Sequence, residues 1–276
     1  MNPVLDYLGS GLLLTLKELG LLLGPAFFFG LLLHYLAEGI RWASLSLMRF
    51  NLFAWLTAPG TVVHELGHAF FCILFGHEVR ELALFRPKDP DSLGHVKHAY
   101  NPRNLYQMVG HFFIGSGPIW FGAAVLYGLA LLLLGGNLPL GGIGAGLTLD
   151  DFPVALGRMG MAGLDTFRRL LDPSLFGHWP VYLFLYLAFS IGAHMTLSLS
   201  DLGGTFKGFA FLAGLVLLLN YATLWTGDGS ARVCLFLLRP LGVIYSVMAF
   251  AMLLSACLAL VLTVIAVVAQ RQDKQE

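Results

Sequence analysis

Six long runs of apolar residues restrict the folds that are open to this chain. The runs are Gly20–Ala37, Leu52–Gly76, Met108–Leu134, Val181–Ser200, Phe209–Trp225 and Pro240–Ala269. A helix needs about 20 apolar residues to cross the hydrocarbon core of a bilayer, so each run predicts a transmembrane helix. The composition agrees, because 57% of the residues are hydrophobic and only 12% are charged. We therefore expect an all-α polytopic membrane protein with about six transmembrane helices, residues 1–276 forming a single membrane domain.

The charge balance and the cysteines give no support to a nucleic-acid-binding protein or to a cysteine metal site. The chain has 16 basic and 16 acidic residues, so no net charge favours nucleic acid or a strongly anionic partner. Cys72, Cys234 and Cys257 lie in or near apolar segments and share no spacing typical of a metal site. They are interpreted as small core residues.

Six crossings would place both termini on one side of the membrane. That side would also carry the loop 77–107, and it would hold 9 Lys and Arg residues against 7 on the other side. Because cytoplasmic loops carry the excess of Lys and Arg, we expect both termini in the cytoplasm. The predicted location is the cell membrane, with a multi-pass topology.

The two longest connections differ in character. Segments Glu81–Phe85 and His95–Tyr100 have β-like patterns on either side of a turn-rich stretch, which predicts a β-hairpin. The segment 136–179 begins with glycines and continues into an amphipathic helix whose predicted N-cap is Asp150. This segment is expected to be an extracytoplasmic loop with an interfacial helix, the alternative being an element that gates substrate entry.

The sequence His64-Glu65-Leu66-Gly67-His68 lies inside the second apolar run. Residues four apart share one helical face, so His64 and His68 can each offer a ring nitrogen to one Zn²⁺. Glu65 would then lie beside the metal, able to accept a proton from its water. The alternative is a satisfied core cluster, but such polar groups are costly at membrane depth without a metal, a partner or a cavity. Just before the motif, Pro59-Gly60 predicts either a helix break or a kink.

A catalytic zinc site usually has three protein ligands plus water, so a further donor is needed. His194 and Asp201 are the candidates, and on one continuous helix they would be about 10 Å apart along the axis. His194 lies at a depth similar to that of the His-Glu-x-x-His motif. Asp201 precedes Gly203-Gly204, where a helix can end and turn a carboxylate inward. From the residues alone both stay open, as do a buried hydrogen-bonded His194 and a solvated Asp201.

Taken together, these motifs resemble those of the site-2 protease family of intramembrane zinc metalloproteases, in a divergent bacterial-type form. The resemblance spans residues 59–204, and residues 52–204 would form the protease core. Ser200-Asp201-Leu202-Gly203 is similar to the family's Leu-Asp-Gly motif, which implies Asp201 as the third ligand and His194 as an alternative or additional group. Gly117-Pro118 is similar to the family's Gly-Pro segment, although Phe121 stands where an Asn is common.

The resemblance also implies a role for the predicted hairpin. Gly94, His95 and Val96 would belong to a strand beside the active site that binds substrate, the alternative being an ordinary cytoplasmic loop. The function implied is hydrolysis of peptide bonds in or near transmembrane segments of other membrane proteins, with Zn²⁺ as cofactor and Glu65 as general base. The competing interpretation is a zinc-binding membrane protein without proteolysis, either a metal transporter or a protease-like scaffold.

Overall fold

The computed structural model describes residues 3–89, 93–135, 146–197, 199–227 and 229–272, except for the side chains of residues 3, 199–202 and 226. This part of the chain is almost entirely helical. The α-helices are α1 Pro3–Leu47, α2 Phe50–Leu74, α3 Leu105–Gly115, α4 Gly117–Leu134, α5 Phe152–Leu170, α6 Trp179–Gly192, α7 Leu199–Thr223 and α8 Gly229–Gln272. Short 3₁₀ turns cover Pro173–Gly177 and Leu224–Thr226, and strands β1 Glu78–Ala83 and β2 His95–Ala99 form a hairpin. The predicted all-α fold with a small hairpin is confirmed.

Four helices in the described part of the chain are long and apolar enough to cross a membrane. They are Val4–Leu47, Gly117–Leu134, Gly203–Thr223 and Gly229–Gln272. Helix α6 is apolar but has only 14 residues, which is short for a bilayer core about 30 Å thick. Helix α2 matches the predicted run at Leu52–Gly76 but carries the polar motif within it. The two crossings assigned to α2 and α6 therefore stay predictions.

Two of the predicted continuous helices are interrupted, and both predictions of continuity are wrong. The run Met108–Leu134 divides at Ser116 into α3 and α4, where Gly117-Pro118 follows directly. Pro118 has no N–H to continue the helical ladder. The run Val181–Ser200 also divides, because α6 ends at Gly192 and α7 begins at Leu199.

Helix α2 contains a proline but no break. It is continuous through Pro59, and the hydroxyl of Ser190 on α6 forms hydrogen bonds to the turn that contains this proline. Gly60 N donates to Ser190 Oγ at 2.8 Å, and Ser190 Oγ donates to Thr57 O at 3.2 Å. A methyl group on Gly60 would lie 2.0 Å from Ser190 O, so only glycine permits this approach. The Pro-Gly pair thus docks α6 onto α2 one turn before the motif.

The predicted amphipathic helix is α5, and it packs on α8. Its N-cap is Asp151, one residue after the predicted Asp150. A methyl group on Gly163 would lie 2.7 Å from Ala249 Cβ, so the two helices touch closely. The glycine-rich start of the 136–179 loop lies outside the described residues, and an interfacial or gating role for α5 stays a prediction.

Contacts of α1 show that one part of the predicted topology is wrong. Lys17 Nζ lies 2.6 Å from Asp150 Oδ1, and Asn220 Nδ2 donates to Glu18 Oε2 at 2.7 Å. The first half of α1 therefore lies at the same end of the bundle as Asp150 and the end of α7. Six alternating crossings would separate Lys17 from Asp150 by the membrane, which this ion pair does not permit. Which end of the bundle faces the cytoplasm stays a prediction.

The hairpin follows α2 directly, as the sequence predicts. The strands pair antiparallel, with Leu82 opposite Val96, while the turn residues 90–92 lie outside the described part. Glu81 joins the strands through Lys97 Nζ and His95 Nε2, each 2.7 Å from a carboxylate oxygen. Hydrogen bonds from Lys97 and then His95 lower the pKa of Glu81 to about 2. The carboxylate therefore stays ionised and cross-links the two strands at neutral pH.

Candidate metal centre

Helix α2 brings the two histidines and the glutamate of the motif into one cavity. Glu65 is 6% exposed and His68 is 7% exposed, so both are nearly withdrawn from the surface. The cavity has a volume of about 480 Å³, and its walls come from α1, α2, the hairpin, the end of α3 and the segment after α6. A buried carboxylate beside two imidazoles in a cavity of this size is the setting that a hydrolytic metal centre requires.

Hydrogen bonds fix the protonation of both imidazoles. His64 Nδ1 lies 2.7 Å from His194 O, and His68 Nδ1 lies 2.7 Å from Ile114 O. A carbonyl oxygen can only accept, so each Nδ1 carries the hydrogen. In a neutral ring the other nitrogen, Nε2, then presents a lone pair. This arrangement, with a carbonyl holding the distal N–H, is typical of metal-binding histidines.

The two Nε2 atoms face each other at 3.2 Å. Two lone pairs at this distance repel unless a cation lies between them or one ring is protonated. Two zinc–nitrogen bonds of about 2.05 Å at a tetrahedral angle would place their nitrogens about 3.3 Å apart. The observed separation therefore matches the spacing expected for two imidazole ligands of one Zn²⁺.

Helix interruptions supply the carbonyls that hold the rings. The helical partner of Ile114 O would be the N–H of residue 118, which Pro118 lacks, so this carbonyl is available to His68. The carbonyl of His194 lies beyond the end of α6 at Gly192, where carbonyls have no helical partner. The sequence contains the Gly-Pro signal for the first interruption, but the use of these carbonyls could not be predicted from it.

The ring of His194 is turned to neighbouring polar groups. Its Nδ1 donates to Ser190 O at 2.9 Å, and its Nε2 lies 3.2 Å from Thr61 Oγ1. In this rotamer the ring bonds α6 to α2, while the main-chain carbonyl positions His64. The geometry therefore favours a positioning role for His194 over that of a direct ligand. Thr61 and Ser190 are participants that sequence reasoning missed.

Asp201 lies in the first turn of α7, but its side chain lies outside the described part. The chain leaves helical geometry between His194 and Asp201, because α6 ends at Gly192 and α7 starts at Leu199. The separation of about 10 Å expected for one continuous helix therefore does not apply. Among the described side chains, no three His, Cys, Asp or Glu residues are arranged to hold a metal. Asp201 falls outside the residues to which that finding applies.

The hairpin reaches the glutamate of the motif through Gly94. A methyl group on Gly94 would lie 2.6 Å from Glu65 Cγ and 2.9 Å from Ala83 O. The main chain just before β2 therefore packs directly on the side chain of Glu65. Gly94, His95 and Val96 all line the cavity, so the structure brings the three predicted substrate-binding residues beside the motif.

A second glycine contact fixes the depth of the motif in the bundle. A methyl group on Gly67 would lie 3.0 Å from the carbonyl of Gly117, and one on Gly117 would lie 2.8 Å from Gly67 O. α2 and α4 therefore touch through their backbones at this point. The contact places His68 beside the α3–α4 interruption that supplies its carbonyl partner.

Comparison with protein-family models, with curated proteins and with solved structures finds no match to this chain. The fold and the arrangement of the cavity therefore carry the functional argument by themselves.

Proposed function

We propose that this protein is an intramembrane zinc metalloprotease that hydrolyses peptide bonds in or near transmembrane segments of other membrane proteins. The observation that carries the proposal is the pair of Nε2 atoms of His64 and His68, 3.2 Å apart, with both Nδ1 atoms bonded to carbonyls. The buried Glu65 lines the same cavity. Two oriented imidazoles and a carboxylate are the side-chain set of a hydrolytic zinc centre.

His64 and His68 would hold the metal, and Asp201 is proposed as the third ligand, with His194 as an alternative or additional group. When bound, Zn²⁺ supplies Lewis-acid polarisation of the scissile carbonyl and lowers the pKa of a water molecule to about 7. His194 and Ile114 hold the two imidazoles through their main-chain carbonyls. This second layer of contacts keeps the ligand nitrogens directed at a common point.

Glu65 would act as general base and then as general acid. It takes a proton from water as the water oxygen attacks the scissile carbonyl carbon, and it delivers that proton to the leaving amine nitrogen. Burial and the packing of Gly94 on its side chain limit the positions that its carboxylate can reach. A positioned proton-transfer group of this kind contributes about 10²–10⁴-fold to rate.

The hairpin is proposed to hold the substrate in an extended form. A transmembrane helix has its carbonyls occupied by internal hydrogen bonds, so it must unwind before the peptide bond can be attacked. β2 pairs with β1 on one side, and Gly94 to Val96 line the cavity. The outer edge of such a strand can accept an unwound segment by strand addition. The substrate backbone would then pass beside Glu65.

For localisation we propose the cell membrane, with the hairpin and the mouth of the cavity on the cytoplasmic side. The hairpin region carries a cluster of basic residues, namely Arg80, Arg86, Lys88, Lys97 and Arg103, as cytoplasmic segments usually do. α3 and α4 run from this region towards the end of the bundle where Lys17 meets Asp150. The start of α1 is therefore proposed to face the opposite side from the hairpin.

The test is cleavage of a model transmembrane substrate in proteoliposomes by the wild type and by Glu65→Gln. The variant keeps both imidazoles, so we expect normal zinc content and a loss of activity of about 10²–10⁴-fold. Glu78→Gln is the matched control, because Glu78 is exposed at the start of β1 and outside the cavity. Zinc binding with no cleavage by any variant, the wild type included, would instead favour a transporter or a scaffold.

A further inference from the structure

Helix α1 contributes a positively charged residue to the wall of the motif cavity. Ala37, Ile40 and Arg41 all line this cavity. Their spacing of three and four residues places them on one face of α1, and Ile40 on that face is 3% exposed. The face with which α1 packs into the bundle therefore continues into the cavity wall. Arg41 is itself exposed, so its side chain is accessible to a molecule that enters the cavity.

Most polar side chains in the cavity wall already have hydrogen-bond partners. These side chains are Thr61, His64, His68, His95, His98 and His194. The side chain of Arg41 makes no hydrogen bond and no ion pair with any residue in the described part of the chain, and this includes Glu38 one turn earlier. A guanidinium group has five N–H donors and a permanent positive charge. These donors are therefore available to a ligand.

The turn of the hairpin reaches the same cavity and adds charged side chains to its rim. The ring of Phe85 packs on that of Trp55 near the start of α2, with 5.1 Å between centroids. Arg86 N donates to the carbonyl of Leu93, which lines the cavity. The described residues at this rim include four basic and three acidic side chains, namely Arg41, Arg49, Arg86 and Lys88 against Glu38, Glu81 and Asp89. The surrounding charges therefore do not cancel the charge of Arg41.

We propose that Arg41 is a specificity-determining residue that pairs with an acidic side chain in the polar flank of a substrate's transmembrane segment. The inference rests on the proposed function, because it assigns a substrate class to the same cavity. A guanidinium and a carboxylate form charge-assisted hydrogen bonds that are often bidentate, so this pair has a defined geometry as well as a favourable charge. Glu38 lies further round α1 and would oppose an acidic flank instead of binding it.

Such a preference would exclude most membrane proteins from the site. Cytoplasmic flanks of transmembrane segments usually carry Lys and Arg, and the mouth of the cavity is proposed to face the cytoplasm. Arg41 would repel a basic flank and attract an acidic one, so a single side chain supplies both the attractive and the repulsive part of the discrimination. The substrates would then be membrane proteins with an acidic residue beside the transmembrane segment on this side.

The test is the binding of fluorescent transmembrane peptides to the full chain in lipid nanodiscs, measured by fluorescence anisotropy. All proteins carry Glu65→Gln, so that no peptide is cut. Three peptides differ only in one flanking residue, which is Asp, Ala or Lys. We expect the Asp peptide to bind about 5-fold more tightly than the Ala peptide, the upper range for an exposed ion pair, and the Lys peptide to bind most weakly.

Substitutions of Arg41 should change this order in a defined way. Arg41→Gln should remove the difference between the Asp and Lys peptides, and Arg41→Glu should reverse it. Arg103→Glu is the matched control, because Arg103 is exposed and lies outside the cavity, and it should keep the original order. Glu38→Gln should bind the Asp peptide at least as tightly as its parent does.

The outcomes separate this inference from the proposed function. Equal affinities of the three peptides for the parent protein, or an unchanged order in Arg41→Gln and Arg41→Glu, would overturn the role of Arg41. A preference that depends on Arg41 and weakens as the salt concentration rises would support it. None of these measurements requires cleavage, so a wild-type chain that binds with this preference but cuts no substrate would overturn the proposed function alone.

Discussion

Replacement of Pro118 by alanine should weaken zinc binding although Pro118 touches no metal. The structure assigns the proline one chemical consequence, which is that Ile114 O lacks its helical N–H partner and accepts from His68 Nδ1 at 2.7 Å. Alanine restores an N–H at position 118. This donor would compete with the imidazole for the same carbonyl and would favour a continuous helix through residue 116.

The expected loss of zinc affinity follows from the contact of the Ile114 carbonyl, which orients the imidazole of one proposed ligand, His68. Loss of such a contact typically reduces metal affinity by about 10–100-fold. A carbonyl oxygen has two lone pairs and can accept both donors in part, so we expect the lower end, about 10-fold or 1.4 kcal/mol.

Competition with a chromogenic zinc chelator measures this directly in the purified variant. Pro153→Ala is the matched control, because Pro153 also occupies the first turn of a helix, α5, but far from the cavity. Equal zinc affinity of Pro118→Ala, Pro153→Ala and the wild type would refute the claim that the helix interruption orients His68.

Three further predictions concern the hairpin, the third ligand and the topology. Gly94→Ala should reduce cleavage at least about 10-fold with zinc content unchanged, because the added methyl group would lie 2.6 Å from Cγ of Glu65, the proposed general base. Equal cleavage would place the hairpin elsewhere during catalysis. Asp201→Ala should lose zinc more completely than His194→Ala in metal analysis, and the reverse order would exchange their roles. Cysteines placed at Asp6 and Asp89 in a cysteine-free chain should be modified from opposite sides of intact cells; modification of both from one side would contradict the proposed orientation.

The sequence predicts the motif helix and the hairpin better than it predicts where helices end and which distant segments touch. The spacing of His64 and His68 is sufficient to predict that both face one point, because helical periodicity is local. The hairpin is likewise predictable from its alternating strands and from the turn-forming residues 87–92 between them. Each of these features depends on interactions between residues close in sequence.

The parts that were not predicted depend on contacts between distant segments. Nothing in the apolar run Val181–Ser200 indicates that α6 ends at Gly192, because hydropathy does not report helix continuity. The contacts of His77 with His98 and His111 are not visible in sequence, since the three residues lie in different parts of the chain. The ion pair of Lys17 with Asp150 could not be anticipated from a count of basic residues. In each case tertiary packing decides where a polar group finds its partner.

We propose that this chain, with bound zinc, cleaves a membrane-embedded peptide bond. The most direct measurement uses proteoliposomes that contain only the purified protein and a substrate with helix-breaking residues in its transmembrane segment. Substrate and products are identified by mass spectrometry before chelation, after chelation and after Zn²⁺ is restored. We predict a defined internal cut that stops on chelation, returns with Zn²⁺ and is absent with Glu65→Gln. Cleavage that persists at the same site in Glu65→Gln, or an intact substrate under every condition, would contradict it.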